Sequence, residues 1–511
     1  MRWGALFALG LALACGGGGG EADAGAADLG TDAGGLDIGA PDAGLPPTPP
    51  EPFAYLKAFN AGELDAFGSW VALEGNTLVV AAPREDASDR GVFAAADLPA
   101  TPPFAGPGFD DRAFDSGAVY VFRWSETDGW ALEAYLKASN ADPEDRFGSA
   151  LALEGDFLAV GALLEDGPAN ELTDVGAAYL FQRIGTRWTE VAVLRPSNGR
   201  AFDHFGEALA ISGNALLAGS PLVDGGGLGV DAGDAGEGNN RGAAYLFNIG
   251  TFGVVETTIF RSTEPGGVFF GAAVAMHGDL VAIGADGDRP FERDSGRVHA
   301  FRREGEGWLP DGILQAEFGG RFDRFGDRVA MRDDVLLVSA PNEDSGARFV
   351  DGAEDDDSMR NSGAAYAYAH GAEGWERTGY LKATNADQDD NFGQGLFVGE
   401  GELFVLAPNE DGAEPGPAPV FAAGIDDDLP NAGAAYRFVP GESVGWREDG
   451  YLKALNPGFD DRLTSAAATD AFLALGAPGE DGGLRAVLGD RDDDRGVDAG
   501  AVYVYERAAL E

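Results

Sequence analysis

Phe147-Gly148-Ser149-Ala150-Leu151-Ala152-Leu153-Glu154-Gly155-Asp156-Phe157-Leu158-Ala159-Val160-Gly161-Ala162 is the stretch that decides the fold. Ala150 to Leu153 and Phe157 to Ala162 are apolar runs too short for a globular helix, and Glu154-Gly155-Asp156 between them is a tight-turn sequence. The segment therefore predicts two strands joined as a hairpin. Nearly every residue in both strands is apolar, instead of every second one, which is the pattern of a sheet with neighbours on both faces. Equivalent turns occur at Glu74-Gly75-Asn76, Ser212-Gly213-Asn214, His277-Gly278-Asp279 and Arg332-Asp333-Asp334.

Working outward, a third strand follows at Gly176 to Phe181, with counterparts at Gly117 to Phe122, Gly242 to Phe247, Gly296 to Phe301 and Gly500 to Tyr505. A fourth begins after a Gly-containing turn at Trp130, Trp188, Trp308, Trp375 or Trp446 and ends in phrases such as Tyr135-Leu136-Lys137-Ala138. The opening Phe-Gly recurs at Phe67, Phe147, Phe205, Phe270, Phe325, Phe392 and, degraded, at Leu463, a spacing of roughly 55 to 80 residues. Four antiparallel strands per unit make a propeller blade, so the fold expected is an all-β, seven-bladed β-propeller. The last unit stops after its third strand at Tyr505, while a spare fourth strand, Tyr55-Leu56-Lys57-Ala58, precedes the first unit. Pairing these two would close the ring and remove its exposed edges. One propeller over 52–511 is expected, although length alone would suggest about three domains.

The phrases Asp145-Arg146-Phe147-Gly148 with Leu158-Ala159-Val160-Gly161-Ala162, and Asp323-Arg324-Phe325-Gly326 with Leu337-Val338-Ser339-Ala340-Pro341, resemble FG-GAP repeats, the blades of the integrin alpha-subunit propeller and of many bacterial surface proteins. The resemblance covers nearly everything after residue 50. It implies a propeller that binds ligands through loops on one face, often with calcium in the blades. The integrin-type calcium loop between first and second strands is reduced here to a turn such as Glu154-Gly155-Asp156, so that site does not carry over.

The acids lie elsewhere, on the loops before each opening Phe and between second and third strands, and strand alternation puts both loop sets on one rim. Calcium takes six to eight oxygens from carboxylates and carbonyls. Asn140, Asp142 and Asp145, then Asn385, Asp387, Asp389 and Asp390, then Asp460 and Asp461 are the candidate calcium ligands. The same Asn and Asp residues also suit ordinary turn formation. The triplets Asp355 to Asp357, Asp426 to Asp428 and Asp492 to Asp494 are weaker candidates, because contiguous acids point in different directions.

The formal charge of -51 excludes a nucleic-acid binder or an anionic-membrane-surface binder on electrostatic grounds and favours cations or basic partners. A solubilising acidic coat explains the charge equally well.

At the start, Arg2 precedes an apolar stretch from Trp3 to Ala14 that suits a signal-peptide core and is too short to span a bilayer. Leu11-Ala12-Leu13-Ala14-Cys15 resembles a bacterial lipobox, with Ala12 where a Leu is usual and Cys15 as the lipidated residue. Plain secretion after cleavage at Ala12-Leu13-Ala14 is the alternative. Cys15 is the sole cysteine, so no disulfide forms within one molecule. Residues 16–51, rich in Gly, Ala, Asp and Pro, read as a tether. Gly16 after the cysteine points to the outer membrane, so the expected location is the outer membrane, lipid-anchored, with the membrane touched only through the anchor.

Catalytic motifs are sparse. The four histidines, His204, His277, His299 and His370, fall at different blade positions and are expected at the surface or in turns. Gly441-Glu442-Ser443-Val444-Gly445 matches the nucleophile-elbow pattern but lies in a turn between strands. No phosphate loop or dinucleotide fingerprint occurs. The function expected is a monomeric, non-enzymatic binding module, integrin-alpha-like, that engages a protein or glycan through its long-loop face in adhesion or envelope organisation. A hydrolase or lyase with its site at the central channel is the alternative. The insertion from Arg84 to Ser116, with Phe93, Phe104, Phe109 and Phe114, is the candidate contact surface.

Overall fold

The computed structural model describes residues 54–98, 106–233, 238–265, 268–290, 292–412, 417–418, 429–442, 445–482 and 497–510. Seven antiparallel sheets follow one another along the chain. In the second, Phe147–Glu154, Phe157–Ala162, Ala177–Ile184 and Arg187–Leu194 pair in sequence order, and Glu154 faces Phe157 across the two-residue turn. The first strand of every blade lines the centre of the ring, and the fourth is outermost. Second strands are buried along almost their whole length, as in Thr77–Ala82, which explains the absence of period-two alternation in their sequence.

Ring closure follows the expected route. Ala54–Leu56 is the fourth strand of the seventh blade and pairs with Ala501–Glu506 in the register Ala54 to Val504, Tyr55 to Tyr503 and Leu56 to Val502. Two blades depart from four strands. In blade 1, Val92–Ala94 adds to the outer strand Gly129–Leu136, and in blade 6, Pro417–Ala418 adds to Trp446–Leu452. Both extra strands come from the longest loops between second and third strands, which fold back over the outer edge of their own sheet and shield it from intermolecular pairing.

The Phe-Gly and Gly-Ala phrases are one device seen from its two sides. The glycine before each third strand has positive φ, and its Cα lies against the backbone of the next blade's opening residue. A Cβ on Gly117 would lie 2.1 Å from the Phe147 carbonyl oxygen, one on Gly176 2.2 Å from that of Phe205, and one on Gly500 2.0 Å from that of Phe67. Each opening Phe is fully buried against the third-strand aromatic of its own blade, Phe147 on Tyr179 at 5.3 Å and Phe325 on Tyr366 at 5.1 Å, edge to face. Phe147 belongs to a core cluster that also holds Val79 and Val119 of the preceding blade, so the ring wedges adjacent blades together. The outer-strand tryptophans Trp130, Trp188 and Trp308 are buried packing residues as well.

Candidate functional site

The long-loop rim is organised by a Glu-Asp pair that leaves the second strand in five blades: Glu85-Asp86, Glu165-Asp166, Glu343-Asp344, Glu410-Asp411 and Glu480-Asp481. Its glutamate is buried and holds the cation at the end of the fourth strand. Lys137 Nζ donates to Glu85 (2.6 Å), Lys382 to Glu343 (2.9 Å) and Lys57 to Glu480 (2.6 Å); Lys453 pairs with Glu410, and Arg195 replaces lysine at Glu165. Asn60 and Tyr135 donate to the free lone pairs of Glu85 at 2.7 and 2.8 Å, and Tyr120 donates to Asn60 at 2.7 Å. Burial holds the Lys57, Lys382 and Lys453 ammoniums below the ordinary lysine range, opposed by the paired carboxylates. Blades 3 and 4 diverge: Val223 stands in the glutamate position of blade 3, and in blade 4 Asp288 lies 3.4 Å from His299. His299, expected at the surface, is fully buried in its third strand because it occupies the position of Tyr179 in blade 2.

The aspartate of each pair has a different task. Its Oδ1 accepts the backbone N–H of the Asp or Asn two residues before the third-strand glycine: Asp115 to Asp86 (2.8 Å), Asp174 to Asp166 (2.9 Å), Asn361 to Asp344 (2.7 Å), Asn431 to Asp411 (2.7 Å) and Asp498 to Asp481 (2.8 Å). Those residues sit at φ near +50°, where Asn and Asp are the side chains best tolerated after glycine. Their carbonyls accept from the next blade's loop, as when Arg146 N donates to Asp115 O (3.0 Å) and Arg462 N to Asn431 O (3.1 Å). Acids that look like a charge coat in the sequence thus lock neighbouring blades to one another.

The candidate calcium ligands fall within the same framework. Asn140 donates to Glu165 (2.8 Å) and accepts from Tyr179; Asn385 donates to Glu410 (2.9 Å) and accepts from Tyr436. Asp145, Asp390 and Asp461 are buried, and each accepts the N–H three residues back, from Asp142, Asp387 and Gly458. Asp142 pairs with Arg90, Asp389 with Arg360 and Asn361, and Asp460 with Asn431 and Arg462. As the side chains stand, these oxygens face separate partners. Among the described residues no three acidic, histidine or cysteine groups gather round one point. Asp355 to Asp357 lie on the blade 5 loop, where Asp356 caps Ser358; Cys15, Asp426 to Asp428, Asp492 to Asp494, Phe104, Ser443 and Val444 lie outside the described residues.

The buried aspartates carry a pH signature. Burial, then the neighbouring glutamate of the ion pair, raises Asp65 and Asp390 to about 8 and Asp145 and Asp323 to about 7, against the pull of their backbone N–H donors. The folded values lie above the unfolded one, so between about pH 4 and pH 8 the folded state binds more protons and stability falls as pH rises. The melting temperature is expected to be several degrees higher at pH 5.5 than at pH 8. The combined Asp65→Asn, Asp145→Asn, Asp323→Asn and Asp390→Asn variant should flatten that slope; an unchanged slope would show that other groups carry it.

The first strands enclose a central cavity of about 310 Å³, lined mainly by apolar side chains such as Leu73, Leu153, Leu209 and Val274. Among the described lining residues the ionisable ones are Glu207 and Arg328. Arg328 of blade 5 lies over the Trp70 ring of blade 1 at 5.4 Å and crosses the channel. Of the insertion aromatics, Phe93 packs on Tyr135 and Phe109 on Phe59, whereas Phe114 is exposed at the rim.

No curated protein matches the chain. A chain in the solved structure "Crystal Structure of Mitotic Checkpoint Complex" is similar over 93% of this chain and 99% of its own, with 12% identity and a TM-score of 0.44, a level at which nothing further is inferred. The family model described as FG-GAP repeat matches residues 130–181, 188–247 and 264–301. Its first two matches begin at the outer strands of blades 1 and 2 and end in the third strands of blades 2 and 3, the same one-strand offset between sequence repeat and blade that closes the ring. FG-GAP repeats are thus present between residues 130 and 301, within a seven-bladed β-propeller of antiparallel blades.

Proposed function

We propose that this chain is a surface-anchored, non-enzymatic binding module that engages a protein or glycan through its long-loop rim, in adhesion or envelope organisation. The observation that carries this is the asymmetry of the two rims. Short hairpins, of two or three residues except for a five-residue turn in blade 6, close one end of the blades, while the other end collects the long loops, including the insertion from Arg84 to Ser116. Loops held on a rigid scaffold are the usual place for recognition. A hydrolase or lyase in the channel would need acid, base or metal ligands converging from several blades, and the described lining offers Glu207 and Arg328.

Lipid on Cys15 would hold the ring at the outer membrane, and a Cys15→Ser chain released from the membrane fraction is the result expected. Calcium dependence would require the rim carboxylates to leave their present partners. A rise in melting temperature on adding calcium, reversed by chelator, would support it, and no change in either direction would sink it. The binding face itself is tested by displaying the full chain with either rim altered. Ligand capture from envelope protein and glycan fractions should be lost with changes in the long loops and kept with changes in the opposite hairpins; the reverse pattern would overturn the assignment.

A further inference from the structure

Among the large apolar side chains that remain exposed, a group recurs at the junctions between blades on the long-loop rim. Phe459 (63% exposed) precedes blade 7, Val497 (52%) and Leu64 (49%) meet at the junction of blades 7 and 1, and Phe114 (60%) stands at the junction of blades 1 and 2. Leu64 N donates to Val497 O at 2.9 Å, and Glu144 N to Phe114 O at 2.7 Å, so these residues sit on the clamps that join the blades. They form one arc over three successive junctions. Stability does not explain them. Leu64 has φ 68°, a left-handed conformation unfavourable for a bulky residue; at the equivalent place blades 2, 6 and 7 have Glu144, Asp389 and Asp460, while blades 3 and 5 have the exposed Phe202 and Phe322, the latter beside Arg293 and Arg321. A half-exposed leucine there contributes little burial and costs backbone strain.

The arc is also acidic. Glu63, Asp111 and Glu144 are exposed and make no ion pair among the described residues. Its arginines are offset: Arg112 faces Asp110 (3.7 Å), Arg146 faces Asp115 (3.8 Å), Arg462 faces Asp460 (3.1 Å), and Arg84 lies near Asp115 and Asp498. A second copy of a chain with a formal charge of -51 is repelled from such a surface, as is an anionic bilayer.

Building on the assignment of the long-loop rim as the binding face, we propose that the arc Phe459, Val497, Leu64 and Phe114 docks a basic protein segment that alternates cationic with apolar side chains. The apolar groups of the segment cover the arc, and its cations meet Glu63, Asp111 and Glu144. Complementary charge accelerates the encounter and makes it salt-sensitive, while the buried aromatics hold the complex.

The test uses the full chain and a fluorescein-labelled peptide alternating Lys and Leu, with Lys→Glu and Leu→Ser peptides as controls, read by anisotropy. Binding of the Lys-Leu peptide alone is expected, weakened by salt. It should fall about tenfold or more when Leu64, Phe114, Phe459 and Val497 are all changed to Ser, and stay unchanged in Phe252→Ser on the opposite rim. Should the fourfold variant melt early, the charge reversal Glu63→Lys with Glu144→Lys replaces it, with the same loss expected. No binding, equal binding by the fourfold variant, or equal binding of the Leu→Ser peptide would overturn the proposal. Self-association or binding to neutral vesicles that is abolished by the fourfold change would overturn it in favour of a second copy or a lipid surface. Binding lost only on altering other long loops would remove the arc yet leave the rim as the binding face, whereas binding that depends on Phe252 would count against both.

Discussion

Gly500→Ala should open the ring. A Cβ at this position would lie 2.0 Å from the Phe67 carbonyl oxygen and 2.5 Å from its nitrogen, and φ is +81°, so the substitution adds a backbone collision to left-handed strain. Strain alone costs about 1–2 kcal/mol. The collision cannot be relieved by rotating a side chain, and the parallel bridge between Phe67 and Gly500 is where the first and last blades meet. A loss of at least about 3 kcal/mol in urea unfolding is expected, together with fast amide exchange across Ala54–Leu56. Gly155→Ala serves as the control: φ is +59° but nothing lies within 4 Å, so only the strain of about 1 kcal/mol should appear. Equal effects at both positions would show that the contact at Gly500 does not control closure.

Lys57→Met is the second large effect. The ammonium is buried 2.6 Å from Glu480, across 423 residues of chain, and Glu480 also accepts from Gly482 N (3.0 Å). Removing the cation leaves a carboxylate in the interior with its main partner gone, a change that typically costs about 3–5 kcal/mol. Adding Glu480→Leu should return part of the loss, because an unpaired buried charge is worse than an apolar pair, although the Gly482 N–H then lacks its acceptor. Urea midpoints for the two single variants and the double variant give the coupling directly. Strict additivity, or a loss below about 1 kcal/mol in Lys57→Met, would mean that the pair is not what fastens the terminal strand.

Both effects concern closure, and the sequence announces closure clearly: the missing fourth strand after Tyr505 and the spare Tyr55-Leu56-Lys57-Ala58 fit together because repeats keep strand order even where loops vary. Strand positions were legible for the same reason, with apolar runs and turns such as Glu154-Gly155-Asp156 appearing as strands and hairpins in place. The partners of polar residues were not legible. Lys57 and Glu480 are remote in sequence, and a lysine at a strand end ordinarily points to water, so nothing local marks it as buried. The recurrence of Lys after Tyr-Leu and of Glu-Asp after the second strand in the same blades was the available signal. Blade 4, which has Asp288 in the glutamate position, has Gln315 where the lysine would stand. Extra strands such as Val92–Ala94 escaped notice because three residues give no periodicity.

The closing strand also has a mechanical consequence. Force applied through the residues preceding Ala54 enters the ring at its closure, because Ala54–Leu56 is the outermost strand of blade 7. A strand drawn along its own axis is resisted by its ladder hydrogen bonds acting together. A three-residue strand has few of them, and the buried Lys57–Glu480 pair stands immediately behind it. Tension on the chain ahead of Ala54 therefore loads the strand that closes the ring, with the Phe67–Gly500 contact as the second join between first and last blades.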